Sequence, residues 1–123
     1  MSISYEKING FQNIYLEDSY VLDIEIRYGI VRFYLDFVLT PEHESYTPLK
    51  EGEEYCYKKG IMIFDKASKI QWSDVKGVPT KDANGEIDYG NIDTFVLSDG
   101  LYILDGDWGN MEIKAQSVNI VYQ

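Results

Sequence analysis

The chain has 123 residues, of which 45% are hydrophobic and 15% aromatic, so it is long and apolar enough to fold around one core. Its 11 Lys and Arg residues are outnumbered by 21 Asp and Glu residues, which gives a formal net charge of −10. That charge argues against nucleic acid and anionic membrane as partners, because both are polyanions. It favours a soluble protein with a basic partner, although acidity can also serve solubility alone.

The same sequence indicates a cytoplasmic location. No apolar run approaches the roughly 18 residues that a transmembrane helix needs. The opening segment MSISYEKING lacks the basic and apolar parts of a secretory signal. Cys56 is the single cysteine and cannot form an internal disulfide, so we expect a cytoplasmic protein.

The first predicted strand is FQNIYL, which should end at a turn formed by Glu17 and Asp18. After it, apolar and polar residues alternate along YVLDIEIRYGIVRFYLDFVL, which is typical of half-buried strands. A two-residue turn at Tyr28-Gly29 would set Glu25 opposite Arg32 on the outer face. The same register makes apolar residues face each other in the pairs Tyr20–Phe37, Leu22–Leu35, Ile24–Phe33 and Ile26–Val31. We expect four inner residues to be buried together: Leu22, Ile24, Phe33 and Leu35.

Further hairpins are predicted downstream. The run EEYCYKKGIMIF should turn at Lys59-Gly60, and SKIQW adds a short strand after the turn DKAS. Asp99-Gly100 is the strongest short hairpin signal in the chain. Because both faces of its flanking segments are apolar, this hairpin should be central in a sheet and covered on both sides. A turn at Gln116-Ser117 would make the pairs Ala115–Val118, Ile113–Ile120 and Met111–Tyr122.

These segments amount to about nine or ten strands and no convincing helix, because no 3.6-residue apolar period persists over ten residues or so. The sequence therefore predicts an all-β fold, with a single domain over residues 1–123 built from consecutive hairpins. Its architecture should be an antiparallel β-sandwich or a partly open barrel. Two irregular stretches, Thr40–Glu53 and Asp74–Asn91, interrupt the hairpins, and long connections of this kind often carry function.

The sequence offers few of the residue combinations that catalysis requires. Cys56 lies within a predicted strand, where a cysteine is usually a small hydrophobic residue. His43 is the single histidine, so every Cys-His or Ser-His pair would need it as the base. One Cys and one His do not make a zinc site, and no glycine-rich phosphate loop is present. So acidic a chain contains many carboxylate pairs, so their presence in the sequence is no evidence for glycoside hydrolysis. We predict a protein that is not an enzyme and has no cofactor.

Calcium is the one metal for which the chain offers enough oxygen ligands. In the stretch DANGEIDYGNID, positions 1, 3, 5 and 7 of an EF-hand loop would be Asp82, Asn84, Glu86 and Asp88. Position 6 would be Ile87 where the loop needs Gly, and position 12 would be Asp93 where it needs Glu. The stretch is therefore not an EF-hand. A calcium site that adds Asp105 and Asp107 is the minority alternative to an acidic loop that is simply solvated.

The chain also resembles a group of known proteins. The segments LEDSYVLDIEI, VRFYLDFVL, EEYCYKKGIMIF, NIDTF and LYILDGDWGNMEIKA together look like small bacterial all-β proteins of uncharacterised function. Some similar proteins are thought to be immunity proteins, which neutralise toxins used between bacterial cells. The resemblance implies a rigid scaffold without catalytic groups, and a basic target such as the active site of a nuclease.

Our leading hypothesis is a non-enzymatic acidic binding protein, an immunity-type inhibitor of a bacterial toxin domain. The alternative is a carbohydrate- or calcium-binding β-sandwich module, in which Trp72, Trp108 and outward tyrosines would stack on sugar rings. The candidate partner-binding residues are Asp82, Glu86, Asp88, Tyr89, Asp93, Asp105, Asp107 and Trp108.

Overall fold

A computed structural model describes residues 2–74, 80–81 and 87–123 of the chain. Within them lie eleven strands and one short 3₁₀ helix, Tyr5–Lys7. The strands are Ser2–Ser4 (β1), Ile14–Arg27 (β2), Ile30–Leu39 (β3), Cys56–Asp65 (β4), Lys69–Ser73 (β5), Thr80–Lys81 (β6), Ile87–Asp88 (β7), Ile92–Ser98 (β8), Leu101–Gly106 (β9), Gly109–Lys114 (β10) and Ser117–Tyr122 (β11). No helix in these ranges is long and apolar enough to cross a membrane.

The strands form two antiparallel sheets. One sheet has five strands in the order β1-β8-β9-β10-β5, and the other has four in the order β11-β4-β3-β2. A two-stranded ribbon, β6-β7, belongs to neither sheet. Neither sheet closes into a barrel. The predicted all-β sandwich is therefore confirmed, and the strand count exceeds the prediction through β1 and the two-residue strands of the ribbon.

The first long hairpin has the predicted turn. Tyr28 and Gly29 have φ values of 52° and 73°, as a type I′ turn requires. Glu25 pairs with Arg32 in the ladder, and their side chains form an ion pair at 3.0 Å. Ile24 lies opposite Phe33, also as predicted.

The predicted register holds from the turn as far as the Asp23–Tyr34 pair and is wrong before it. A β-bulge at Leu22 shifts the pairing, so that Val21 faces Leu35 and Tyr20 faces Asp36. Val21 is fully buried in the place expected for Leu22, which is only half-buried. Tyr20 points outwards instead of into the core, with 44% of its surface exposed. Val21 and Leu22 are both apolar, so their pattern gave no sign of the extra residue.

A second irregularity replaces the predicted turn at Glu17 and Asp18. These residues lie within the continuous strand β2, which bulges away from β3 between Tyr15 and Tyr20. The buried Ser19 bridges the bulge: its hydroxyl donates to the Tyr15 carbonyl at 2.6 Å and accepts the Val38 N–H at 2.9 Å. The Ser19 hydroxyl thus provides hydrogen-bond partners for the Tyr15 carbonyl and the Val38 N–H, which the interrupted ladder leaves without any.

The predicted turn at Lys59-Gly60 is also wrong, because both residues lie in the middle of β4. Gly60 is needed for close packing. A Cβ atom there would lie 3.0 Å from both the Phe37 ring and the Val121 carbonyl oxygen. A glycine inside a strand therefore marks the close approach of an aromatic ring.

The two C-terminal hairpin predictions have opposite outcomes. The Asp99-Gly100 turn is confirmed, with φ values of 50° and 83°, and it joins the two inner strands β8 and β9. Its expected burial on both faces is wrong: Phe95 and Leu104 are buried, whereas Val96 and Ile103 on the other face are half-buried.

The Gln116-Ser117 hairpin does not form. Instead the chain crosses between the sheets there, and β11 pairs with β4, so that Ile120 faces Met62. Met111, on β10, faces Leu104 of β9. A strand with one apolar face fits either sheet of a sandwich, so matched apolar faces did not distinguish a hairpin from a crossing.

An aromatic core joins the sheets. The Phe33 ring meets the Trp108 ring at 5.2 Å and the Phe64 ring at 6.0 Å, in edge-to-face geometry. Phe64 in turn contacts Phe95 of the five-stranded sheet at 5.9 Å. Contacts of this kind add stability to the burial of the rings themselves.

The bridging serine gives a first prediction. Ser19→Ala leaves the Val38 N–H buried without an acceptor, so the free energy of unfolding should fall by about 1–3 kcal/mol. Denaturant unfolding monitored by tryptophan fluorescence measures this change. Ser68→Ala, at an exposed serine, is the control and should stay within about 0.5 kcal/mol. Equal effects of the two substitutions would contradict the bridging role.

Candidate binding surface

The predicted binding residues do not converge. Asp82 and Glu86 lie outside the described residues, as does the side chain of Asp88. Tyr89 is half-buried against the core, and its backbone N–H donates to the Val21 carbonyl at 2.7 Å. Asp93 is exposed on β8.

The other three candidates lie at the end of β9 and in the turn that leads to β10. Asp105 and Asp107 are exposed there, and Asp105 accepts a hydrogen bond from the Asn110 amide at 3.3 Å. Trp108 is only 1% exposed and packs on Phe33, so its side chain belongs to the core and has no surface to offer a partner. The indole N–H of Trp108 donates to the Asn91 carbonyl at 3.1 Å.

No metal cluster accompanies these acids within residues 2–74, 80–81 and 87–123, where no three His, Cys, Asp or Glu side chains come together as ligands would. His43 and Cys56 contact other groups. The His43 Nδ1 atom accepts the Ser45 N–H, its Nε2 atom lies 3.1 Å from the Tyr122 hydroxyl, and the Cys56 thiol lies 3.7 Å from the Thr47 hydroxyl.

Asp107 does take part in a cleft that the sequence did not predict. The cleft has a volume of about 440 Å³ and opens to solvent beside the bulge of β2. Three carboxylates, two phenol rings and one amide line it: Glu17, Asp18, Asp107, Tyr20, Tyr55 and Asn91, with Gly90 at the wall. We call this the acidic cleft.

Backbone contacts across the sandwich form its walls. The Val21 N–H donates to the Gly90 carbonyl at 2.7 Å, and the Asn91 amide donates to the Glu17 carbonyl at 2.8 Å. Gly90 has a φ of 90°, and a Cβ atom there would lie 2.5 Å from the Asp107 carboxylate. Glycine is therefore required for both the backbone conformation and the close approach of Asp107.

Four tyrosines continue the surface beyond the acidic cleft. The Tyr20 ring stacks on the Tyr57 ring at 6.1 Å, and Tyr57 meets Tyr55 edge-on at 6.0 Å. Tyr15 shares a small, mainly apolar hollow with Tyr55. We call Tyr15, Tyr20, Tyr55 and Tyr57 the tyrosine cluster. Between 41% and 49% of the surface of Tyr15, Tyr20 and Tyr57 is exposed, which is high for large aromatic residues.

The acids and the tyrosines influence each other electrostatically. The negative charges of Asp18 and Glu54 raise the pKa of Tyr55. Partial burial, together with the neighbouring Tyr20 hydroxyl, raises the pKa of Tyr57 to about 12. Both phenols are therefore neutral hydrogen-bonding groups at physiological pH.

Sequence reasoning missed this surface because it assigned Glu17 and Asp18 to a turn and Tyr20 to the core. One signal was available. The segment IYLEDSY has no Gly, Pro or Asn between its two tyrosines, so Asp18 and Ser19 are the only residues there that favour a chain reversal. Strong strand formers on both sides of a short polar insert are equally consistent with a bulged strand.

The tyrosine contacts give a second prediction. Tyr20→Phe removes the neighbouring hydroxyl and should move the pKa of Tyr57 from about 12 towards the ordinary value of roughly 10. NMR titration of ¹³C-labelled tyrosine rings, with Tyr57 assigned, measures this shift. Tyr28→Phe is the control, since Tyr28 is 89% exposed at the tip of the β2–β3 hairpin and should leave Tyr57 unchanged.

The sign of the linked stability follows from the raised pKa. Tyr57 is neutral in the folded state up to a higher pH than in the unfolded chain. Its contribution to stability is therefore complete below about pH 10 and is lost as the pH rises towards about 12. An unchanged Tyr57 titration in Tyr20→Phe would contradict the contact.

Comparison with known proteins gives no relative: no protein-family model, no curated protein and no solved structure matches the chain.

Proposed function

We propose that the protein is a non-enzymatic binding protein whose acidic cleft and tyrosine cluster take a basic protein partner, and that it acts as an immunity-type inhibitor of a bacterial toxin. The observation that carries the proposal is the placement of exposed Tyr20 beside three carboxylates in one cleft, with the exposed Tyr57 ring stacked on Tyr20.

The chemistry of this surface suits a protein partner. Tyrosine combines a large apolar ring with a polar hydroxyl, and it is enriched among the residues that contribute most to protein interfaces. Tyr20 and Tyr57 already hold each other in place through ring stacking. Little side-chain freedom is therefore left to be lost on binding, which favours affinity.

The negative charge of the cleft and of the whole chain favours a basic partner. Glu17, Asp18 and Asp107 line one side of the cleft, in a chain whose net charge is −10. Both the local and the total charge attract a basic surface and accelerate encounter with it. Toxin domains that act on nucleic acid have to present such a surface to their own polyanionic substrate.

Inhibition by occlusion needs no catalytic group in the inhibitor. A rigid acidic surface that covers a basic active site excludes the substrate by steric and electrostatic competition. Such an inhibitor would act in the cytoplasm. The free thiol of Cys56 is consistent with that location, because cysteines stay reduced there.

A carbohydrate-binding module is the second candidate, and one specific observation favours it. The acidic cleft combines the Tyr20 and Tyr55 rings with the Asn91 amide and the carboxylates. Aromatic faces that stack on sugar rings, next to polar groups that bond hydroxyls, are what such a site needs. Binding to a glycan array that is lost in Tyr20→Ala would favour this candidate over toxin inhibition.

The main test uses a toxin domain encoded by a neighbouring gene, in catalytically inactive form. Calorimetry should show a nanomolar complex with the wild-type chain. Tyr20→Ala should weaken this complex by about 30-fold or more, as truncation of a central aromatic residue does. The matched control is Tyr28→Ala, which removes a more exposed tyrosine from the far tip of the β2–β3 hairpin and should leave affinity unchanged. Equal losses, or no complex with neighbouring toxin domains, would refute the proposal.

A kinetic prediction tests the charge. Asp18→Asn should slow association with the toxin domain several-fold at low salt, and raising the salt should abolish the difference, because the Debye length falls to about 3 Å at 1 M. Stopped-flow fluorescence measures the rates. Glu112→Gln, on the outer face of the five-stranded sheet, is the matched control for net charge. If Glu112→Gln slows association as much as Asp18→Asn does, the total charge of the chain and not the position of Asp18 determines the association rate.

A further inference from the structure

The sheet edges are protected unequally. On the four-stranded sheet, β2 is an edge strand, but its outer side is occupied at Val21, which exchanges hydrogen bonds with the backbone of Tyr89 and Gly90. The β2 strand also carries two bulges and several charges. Bulges and charges are devices that keep an edge from pairing with another strand. The opposite edge, β11, is paired on one side only among the described strands.

The ladder to β4 shows which backbone groups of β11 face outwards. Gln123 donates its N–H to the Lys59 carbonyl at 2.9 Å and extends the register of the strand pair. Hydrogen-bonded and non-hydrogen-bonded positions alternate in an antiparallel ladder, so the odd-numbered residues of β11 bond to β4. The N–H and C=O groups of Val118, Ile120 and Tyr122 therefore point to the free edge.

The composition of β11 makes this edge receptive. Its sequence, SVNIVY, has no charged residue and no proline. Val121 is 51% exposed on the outer face, where it pairs with the half-buried Ile61 of β4. An exposed, regular, uncharged edge strand with an apolar neighbour is a template for pairing with another strand.

We propose that β11 is a dimerisation edge that pairs antiparallel with β11 of a second copy of this chain. A two-fold axis at Ile120 sets Val118 opposite Tyr122 of the second copy. Three residue pairs then exchange about six backbone hydrogen bonds, and the two four-stranded sheets become one continuous sheet.

The neutral composition of β11 permits a second copy of this chain as the occupant. Chains with a net charge of −10 repel each other over most of their surface. Within this pairing only neutral residues lie opposite one another, so like charges do not meet at the shared edge. The edge is also self-complementary, as a two-fold interface has to be. Because the acidic cleft lies beside β2, at the edge opposite β11, it stays open in the dimer, and the dimer is independent of the proposed inhibition.

Amide exchange provides the test that needs no mutation. Residue-resolved hydrogen exchange by NMR is measured at low and high protein concentration, together with sedimentation velocity. The amides of Val118, Ile120 and Tyr122 should exchange rapidly in the dilute monomer and become protected as the dimer forms. The amides of Asn119 and Val121, which bond to β4, should be protected at both concentrations. Exchange at Val118, Ile120 and Tyr122 that does not depend on concentration would overturn the proposal.

A substitution tests the same edge. Val121→Lys adds a positive charge beside it on each copy and should weaken dimerisation about tenfold or more. Val96→Lys, at a half-buried valine on the outer face of the other sheet, is the matched control and should leave the dimer intact. The melting temperature of the dilute monomer checks that both variants fold. Equal weakening by the two variants, or a wild-type chain that sediments as a monomer at all concentrations, would overturn the proposal.

Salt separates this proposal from the proposed function. Added salt screens the repulsion between two acidic chains, so the dimer should strengthen as ionic strength rises. The complex with a basic toxin domain should weaken under the same change. A dimer that dissociates on addition of salt would contradict pairing along a neutral edge.

Discussion

The two hydrogen bonds of the Ser19 hydroxyl are the constraint on which the proposed binding surface depends. Over the irregular region β2 advances five residues, from Tyr15 to Tyr20, while β3 advances two, from Val38 to Asp36. Extra residues in one strand break the ladder and leave backbone groups without partners. Because Ser19 supplies both an acceptor and a donor there, β2 continues as one strand and does not turn back.

A chain of hydrogen bonds connects this bulge to the core. The Glu17 carbonyl accepts the Asn91 amide, and the Asn91 carbonyl accepts the Trp108 indole N–H. The Trp108 carbonyl in turn accepts the indole N–H of Trp72 at 3.2 Å. The acidic cleft is therefore tied by hydrogen bonds to Trp108 in the core. A preorganised surface of this kind loses little entropy on binding a partner.

The sequence predicted what short-range patterns determine. A two-residue turn at Tyr28-Gly29 or Asp99-Gly100 leaves only one register that buries both apolar sets, so the strand pairs next to each turn are correct. The same reasoning could not detect the bulge at Leu22, because both neighbouring residues are apolar. It also could not distinguish the turn glycine at position 100 from Gly60, whose role depends on a Phe37 ring far away in sequence. The acidic cleft was missed for a related reason: its residues come from β2, the segment before β4, and the segments that flank β8 and β10.

The two proposed contact surfaces of the molecule differ in charge. The acidic cleft lies beside β2, and the uncharged strand β11 is the opposite edge of the same sheet. The tyrosine cluster extends from Tyr15 and Tyr20 of β2 to Tyr57 of β4. The proposed toxin contact and the proposed dimer contact therefore use different residues.

NMR mapping of the complex tests the central claim most directly. The ¹⁵N-labelled chain is titrated with an inactive toxin domain from a neighbouring gene. We predict that the largest amide shift changes will fall on Glu17–Tyr20, Tyr55–Tyr57, Gly90–Asn91 and Asp107. Shift changes confined to the Tyr28-Gly29 hairpin or to the outer face of the five-stranded sheet would contradict the assignment of the acidic cleft and tyrosine cluster as the binding surface.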